Sequence, residues 1–217
     1  MYRILETIGI LGILPVIKIE SADKAIPLGQ ALSDGGLPCV EITFRTDAAE
    51  DSISRIASSS HNLIIGAGTI LSVDQAKRAV KAGAQFIVSP GFNIRVVNWC
   101  LDHNVPIIPG IATPTEIGMA LESDLSILKF FPAEAFGGIA TLKALAAPFP
   151  SIRFIPTGGI NLHNLVDYLK LPMVFACGGS WLTPGKLIDN GEFSEIIRLT
   201  REAVEYVHRC RNKEDSL

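Results

Sequence analysis

The sequence predicts an α/β fold, a closed (β/α)8 barrel in one domain with an extra N-terminal helix. Three observations carry that expectation. Eight short apolar runs, rich in Val, Ile and Phe, end in Gly, Pro, Ser or Thr, as buried strands do. Helix-like segments lie between them, which implies parallel strands joined by right-handed crossovers. The 217 residues are 48% hydrophobic and 19% charged, enough to bury a sizeable core. The chain is short against the ~250 residues usual for such a barrel, so its loops must be tight. An open sheet of about six or seven strands is the alternative.

The elements follow in order. The first ten residues form the extra helix, and "ILPVIKI" is the first strand. "PCVEITF" and "LIIGAGT" are the second and third. "SVDQAKRAVKAGA" is a helix with Val73, Ala76 and Val80 on one face and Gly83 as its stop. "FIVSP" and "VPIIPGI" are strands four and five. "TPTEIGMALES" begins a helix with Thr113 as N-cap, Pro114 at the first position and Glu116 three residues after the cap. "SILKFFP", "RFIPTGG" and "MVFACGGSW" complete the strands. A last helix covers about 185–210, and "RNKEDSL" is a frayed polar tail. No linker or low-complexity block divides the chain, so the domain is 1–217.

Bulk properties exclude several classes. The net charge is -3, with no basic stripe for nucleic acid. No charge-free run of 18 apolar residues predicts a membrane span, and the N-terminus lacks the pattern of a signal peptide. Cys39, Cys100, Cys177 and Cys210 are scattered, which suits a reducing cytoplasm. His61, His103, His163 and His208 are isolated, without a second ligand at metal spacing. There is no GxSxG elbow. Trp99 and Trp181 read as packing residues, with Trp181 placed to wall a loop at the last strand.

Strand alternation then places charges on the inside. Val40, Ile42 and Phe44 face the helices, so Glu41, Thr43 and Arg45 point inward. Leu128 and Phe130 face the helices, so Lys129 points inward with Ile127 and Phe131. Val16 and Lys18 share one face of the first strand, and the inward set of the third is Ile65, Ala67 and Thr69. Unpaired charge is costly to bury. A structural salt bridge explains one such residue, not the whole set in the second halves of the strands, where barrel active sites form. Gly-Gly pairs end consecutive strands, at "TGGI" (157–160) and "GGSW" (178–181). Glycines let backbone N–H groups approach an anion, and the loops after the last two strands are a frequent phosphate site of such barrels. "AFGG" (135–138) is either a plain turn or a third donor.

Burying a lysine destabilises its ammonium form, and the neutral amine can attack a ketone to give a Schiff base. The iminium is an electron sink for breaking a neighbouring C–C bond. Glu41, the one inward carboxylate, is the general acid/base candidate. Arg45 offers a fork for a carboxylate, Thr69 a hydroxyl. The expected substrate is a small 2-keto acid with a phosphate at its far end.

On these residues the chain resembles the class I 2-keto-3-deoxy-6-phosphogluconate (KDPG) aldolases, which often also act on 4-hydroxy-2-oxoglutarate (KHG). The similar stretches are "GGLPCVEITFRT", "IIGAGTI", "AGAQFIVSPG", "IPGIATPTE", "LKFFPAEAFGG", "RFIPTGGI" and "CGGSWL", in the right order. The resemblance implies Lys129 as Schiff-base lysine and Glu41 as proton carrier. It implies keto-acid contacts from Arg45 and Thr69, with Lys18, Pro90 and Phe131 in the same subsite. It implies phosphate contacts at Thr157, Gly158, Gly159, Gly179 and Ser180, a homotrimer, and no metal or cofactor. Phe136 and Lys18 depart from the family's usual residues, which leaves substrate preference open between KDPG, its galactonate epimer and KHG. A non-covalent phosphosugar isomerase or epimerase, with Glu41 as base, and a phosphosugar-binding barrel are the competing readings.

Overall fold

The computed structural model describes residues 2–59 and 63–211. His61 and the expected tail after Arg211 lie outside the described residues. The fold is α/β with parallel strands. The chain begins with α1 (Tyr2–Leu11), the expected extra helix, and runs into β1 (Ile13–Ile17) and α2 (Ala25–Asp34). Next come β2 (Cys39–Thr43), α3 (Ala49–Ala57), β3 (Ile64–Gly68) and α4 (Val73–Ala82). Then follow β4 (Phe86–Val88), α5 (Ile94–Asp102), β5 (Ile107–Ile108), β6 (Gly110–Ile111) and α6 (Pro114–Glu122). The last part holds β7 (Ile127–Phe130), α7 (Gly138–Ala146), β8 (Arg153–Pro156), α8 (Leu165–Leu169), β9 (Cys177–Gly179), α9 (Gly185–Asn190) and α10 (Phe193–Arg211).

Every predicted strand is present, and the fifth is interrupted. Its two halves, β5 and β6, are separated by Pro109, which has no N–H to give a ladder. β5 pairs with β4 and β6 with β7. One parallel sheet therefore runs β5-β4-β3-β2-β1-β9 and the other β6-β7-β8. On the opposite side, isolated parallel bridges Phe154↔Val174 and Thr157↔Gly178 link β8 to the segment of β9.

The caps behave as their chemistry dictates. Ser72 accepts from the Gln75 N–H to start α4, and Gly83, at φ 110°, stops it. Thr113 and Glu116 form a reciprocal capping box on α6. The single last helix expected over 185–210 is two helices, because the chain takes a left-handed turn at Gly191 that ends α9.

One hydrophobic cluster packs Val40, Ile42, Ile65, Ala67 and Ile87 against α2 to α5. This corrects the expected inward set of β3. Ile65 and Ala67 face the helices, and Gly66 and Gly68 face inward, in register with Glu41 and Thr43. A second cluster holds Leu128, Phe130, Phe154 and Tyr168 with the surrounding helices. Among the described residues, no helix is long and apolar enough to cross a membrane.

Candidate active site

Lys129 is the middle of a buried strand, and alternation sets its direction. Its neighbours Leu128 and Phe130 are fully buried in the outer cluster, so its own side chain takes the other face. The same logic holds for Glu41 between Val40 and Ile42. The two side chains meet. Lys129 Nζ donates to Glu41 Oε1 at 3.4 Å, with Glu41 1% and Lys129 5% exposed. A tight charge-assisted N–H···O bond is about 2.7–2.9 Å. The pair is thus in contact without being locked, and an incoming carbonyl can take the amine. The Phe131 ring lies 5.2 Å from Nζ and forms an apolar wall beside it.

Glycines on β3 make the space. A Cβ on Gly68 would stand 2.0 Å from Glu41 Oε1, and one on Gly66 would stand 2.1 Å from Phe86 Cζ. A glycine inside a strand marks a close approach, and "GAG" at this register is the signal that alternation alone overlooked.

Arg45 and Lys18 are not inside. β2 ends at Thr43, so Arg45 belongs to the turn beyond it and is exposed at the rim. Its Nε donates to Thr43 Oγ1 at 3.2 Å, and the Thr43 hydroxyl donates to Ile17 O at 2.8 Å. Both terminal guanidinium nitrogens make no protein hydrogen bond among the described residues, which leaves a fork for a ligand. β1 ends at Ile17, and Lys18 beyond it pairs with Glu20 at 2.5 Å, half exposed. Among the described residues the interior therefore holds one carboxylate and one amine, where up to three cations were expected beside the carboxylate. Thr69 follows β3, half-buried, at φ 56°. Such a value is rare for a β-branched residue, and strain of this kind clusters at functional sites. Pro90 packs on Gly110, whose missing Cβ would lie 2.3 Å from Pro90 C; Gly110 is the register partner of Lys129.

The glycine loops lie side by side through the Thr157↔Gly178 bridge. Gly158 and Gly159 have φ of 98° and 84°, a conformation that suits glycine. Among the described residues, the N–H groups of Gly159, Ile160 and Ser180 find no protein acceptor. The Trp181 ring covers Gly179, where a Cβ would lie 1.6 Å from Cζ3. The hydroxyl of Ser180 is at the exposed end. Phe136, half exposed, ends the short 3-10 turn after β7. His103 stacks on Trp99, with ring centroids 4.4 Å apart. Among the described residues, no three His, Cys, Asp or Glu side chains gather as metal ligands.

The sequence pattern of the family described as "Aldolase: KDPG and KHG aldolase" matches residues 4–199. The chain belongs to this family. It is 49% identical over 207 residues to the 2-dehydro-3-deoxy-phosphogluconate aldolase of Treponema pallidum, covering 95% of this chain and 99% of that one. It is 42% identical to the KHG/KDPG aldolase of Escherichia coli K12, over 89% of this chain and 91% of that one. Among solved structures it is similar to the KDPG aldolase of Legionella pneumophila, with pyruvate captured as a covalent carbinolamine intermediate. The TM-score is 0.89 at 37% identity, over 92% of this chain and 97% of that one.

Proposed function

We propose that the chain is a class I aldolase that cleaves KDPG to pyruvate and glyceraldehyde 3-phosphate, and also KHG to pyruvate and glyoxylate. The observation that carries this is the buried Lys129 amine in contact with Glu41, in a chain of the KDPG and KHG aldolase family. The Lys129 amine attacks the C2 ketone and gives a carbinolamine, and loss of water gives the iminium. A carbinolamine is what an amine forms with the ketone of pyruvate, so the adduct in the Legionella structure supports this route. Glu41 carries protons at each step: to the carbinolamine oxygen as it leaves, from the C4 hydroxyl as the C3–C4 bond breaks, and back to C3 of the enamine. The electrons of the broken bond enter the iminium, the aldehyde departs, and water releases pyruvate from Lys129.

Arg45 holds the substrate carboxylate through its unpaired guanidinium nitrogens, and Thr69, Pro90 and Phe131 complete the keto-acid end. Lys18, turned to Glu20, contributes charge at the rim. Thr157, Gly158, Gly159, Gly179 and Ser180 hold the phosphate, an arrangement supported by N–H groups that lack protein acceptors. Phosphate binding is then remote binding energy that positions the scissile bond. The galactonate epimer differs only at the carbon released as aldehyde, so it is the nearest alternative substrate. The reading extends to one domain over 1–217, a closed eight-stranded barrel, a cytoplasmic homotrimer, and no cofactor. The single-residue break at Pro109 and the two bridges at β9 support closure of the sheets into one barrel.

The test is borohydride reduction in the presence of pyruvate. We expect a reduced pyruvyl group on Lys129 by peptide mass spectrometry, with loss of activity and no label in Lys129→Ala. A label on Lys18 would overturn the assignment, and an absence of label would favour a non-covalent isomerase. Pyruvate release from a panel of phosphorylated and unphosphorylated 2-keto-3-deoxy acids ranks the substrates.

A further inference from the structure

The turn after β7 and the loop after β8 are held as one unit by the backbone of Ala133 and Glu134, and the side chain between them is that of Glu134. Its backbone N–H donates to Gly158 O at 3.1 Å, beside the Ala133 N–H bond to Thr157 O at 2.8 Å. Its side chain lies over Gly159, where a Cβ would stand 2.5 Å from Glu134 Cγ and 2.6 Å from its Cβ. The far end of the side chain is held as well. Glu134 Oε1 accepts a hydrogen bond from the Tyr168 hydroxyl. Tyr168 belongs to α8 and is fully buried. Burial first, and the facing carboxylate second, push its phenol above the ordinary range, so it remains a donor. Gly138 makes room for the contact: a Cβ there would be 2.7 Å from Glu134 Oε1 and 3.1 Å from the Tyr168 oxygen.

The consequence falls on the loop carbonyls. Thr157 O and Gly158 O are committed to the backbone of the β7 turn, and Gly159 O accepts from Asn161 and Asn164 Nδ2, each at 3.1 Å. A carbonyl free to swing towards a bound anion would repel it, whereas the N–H groups of Gly159 and Ile160 attract one. The Glu134 side chain fills the space under Gly159 that would otherwise let this loop collapse.

The geometry points to Glu134 as a positioning residue that sets the span between the lysine and the phosphate end of the substrate, an inference that rests on the aldolase reading above. Glu134 sits on the chain five residues after Lys129 (129 to 134), and it is clamped at both ends: to the anion loop by its backbone and to α8 by its carboxylate. It does not touch the reacting carbon. Its effect is to keep the anion loop at one distance from the iminium, so that a bound phosphate delivers the C3–C4 bond in register with the amine.

The experiment compares Glu134→Ala, Glu134→Gln and Tyr168→Phe on KDPG and KHG, with borohydride trapping of pyruvate as a measure of the lysine itself. A misplacement of about 1 Å can cost about 100-fold. We expect Glu134→Ala to lower kcat/KM for KDPG on the order of 10- to 100-fold, with kcat falling as the bond loses register, and with a far smaller change in KHG cleavage. Glutamine keeps both the length and the acceptor, so Glu134→Gln should restore KDPG cleavage to within a few-fold of wild type. Tyr168→Phe should move kcat/KM for KDPG in the same direction as alanine. Equal losses on the two substrates, or no loss on either, would overturn the inference. A wild-type enzyme that prefers KDPG, paired with a Glu134→Ala variant that keeps the same preference, sinks the inference alone. A wild-type enzyme that shows no preference for the phosphorylated acid also sinks the inference alone, whereas one that traps no pyruvate at Lys129 sinks the aldolase reading and this inference with it.

Discussion

An amine and a carboxylate 3.4 Å apart in a buried site are each costly without the other, since removing one partner of such a pair typically costs about 3–5 kcal/mol. Both residues were legible in the sequence because a lysine and a glutamate interrupt apolar strands at positions that alternation assigns to the inside. The glycines beside them were not, because an inward glycine carries no hydrophobic signal and leaves the alternation of β3 to be read from Ile65 and Ala67. Arg45 and Lys18 were misplaced for a related reason: alternation was carried past the last residue of each strand, where the backbone turns and period-2 logic stops. Two expectations follow. Glu41→Gln keeps the shape and removes the titratable carboxylate, so kcat should fall by about 10²–10⁴-fold while pyruvate can still be trapped on Lys129. A loss of only a few-fold in steady-state assays would hand the proton transfers to another group or to water. The two glycines of β3 should separate stability from chemistry. Gly66→Ala meets the Phe86 ring and should lower the unfolding free energy by about 1–3 kcal/mol, read from urea denaturation. Gly68→Ala meets the Glu41 carboxylate instead, and should cut kcat by about 100-fold with a native circular dichroism spectrum. Full activity in Gly68→Ala would mean that the carboxylate can relocate without loss.

At the scale of elements, the strands and their order were readable because each is a short apolar run with a breaker after it, and the helices because their caps carry side-chain chemistry. α6 is the clearest example. Thr113 Oγ1 accepts from the Glu116 N–H at 3.3 Å, and Glu116 Oε2 accepts from the N–H groups of Ala112 and Thr113 at 2.9 Å each. These bonds satisfy donors that the first turn of any helix leaves open. Thr113→Ala should therefore cost about 1 kcal/mol, seen as a lower urea midpoint with an unchanged slope, and should leave the trapping of pyruvate on Lys129 intact. A change in slope would point instead to altered compactness of the denatured or native state, or to a loss of two-state unfolding. What the sequence did not disclose at this scale was discontinuity. Pro109 splits one predicted strand into β5 and β6, and Gly191 splits one predicted helix into α9 and α10. In each case a single residue that removes a donor or takes a left-handed turn interrupts an otherwise continuous apolar pattern.

At the scale of the whole molecule, the site is assembled across two sheets. Glu41 lies on β2 in the six-stranded sheet and Lys129 on β7 in the three-stranded one. The ladders within each sheet are regular: β2 and β3 share five registered pairs, and β7 and β8 share four. The junction between β8 and β9 is sparser, with the two bridges Phe154↔Val174 and Thr157↔Gly178. Backbone bonds there run from Phe154 N–H to Met173 O and from Phe175 N–H to Phe154 O, each at 2.8 Å. Regions with fewer cooperative bonds open locally at lower free energy than the ladders they join. The contact between the lysine and the glutamate therefore depends on the seating of the two sheets, while neither sheet depends on that contact for its own ladder. Native-state hydrogen exchange reads this directly. The amides of β2 and β3 should exchange only through global unfolding, with a denaturant dependence equal to that of the whole protein. The amides of Phe154 and Phe175 should exchange earlier, through an opening with a smaller denaturant dependence. Reduction of the pyruvyl adduct onto Lys129 adds a group beside Glu41 of the other sheet, so it should slow exchange at Phe154 and Phe175 more than at Val40 and Ile42. Uniform exchange across all four positions would show that the two sheets open as one cooperative unit and that the seam has no independent motion.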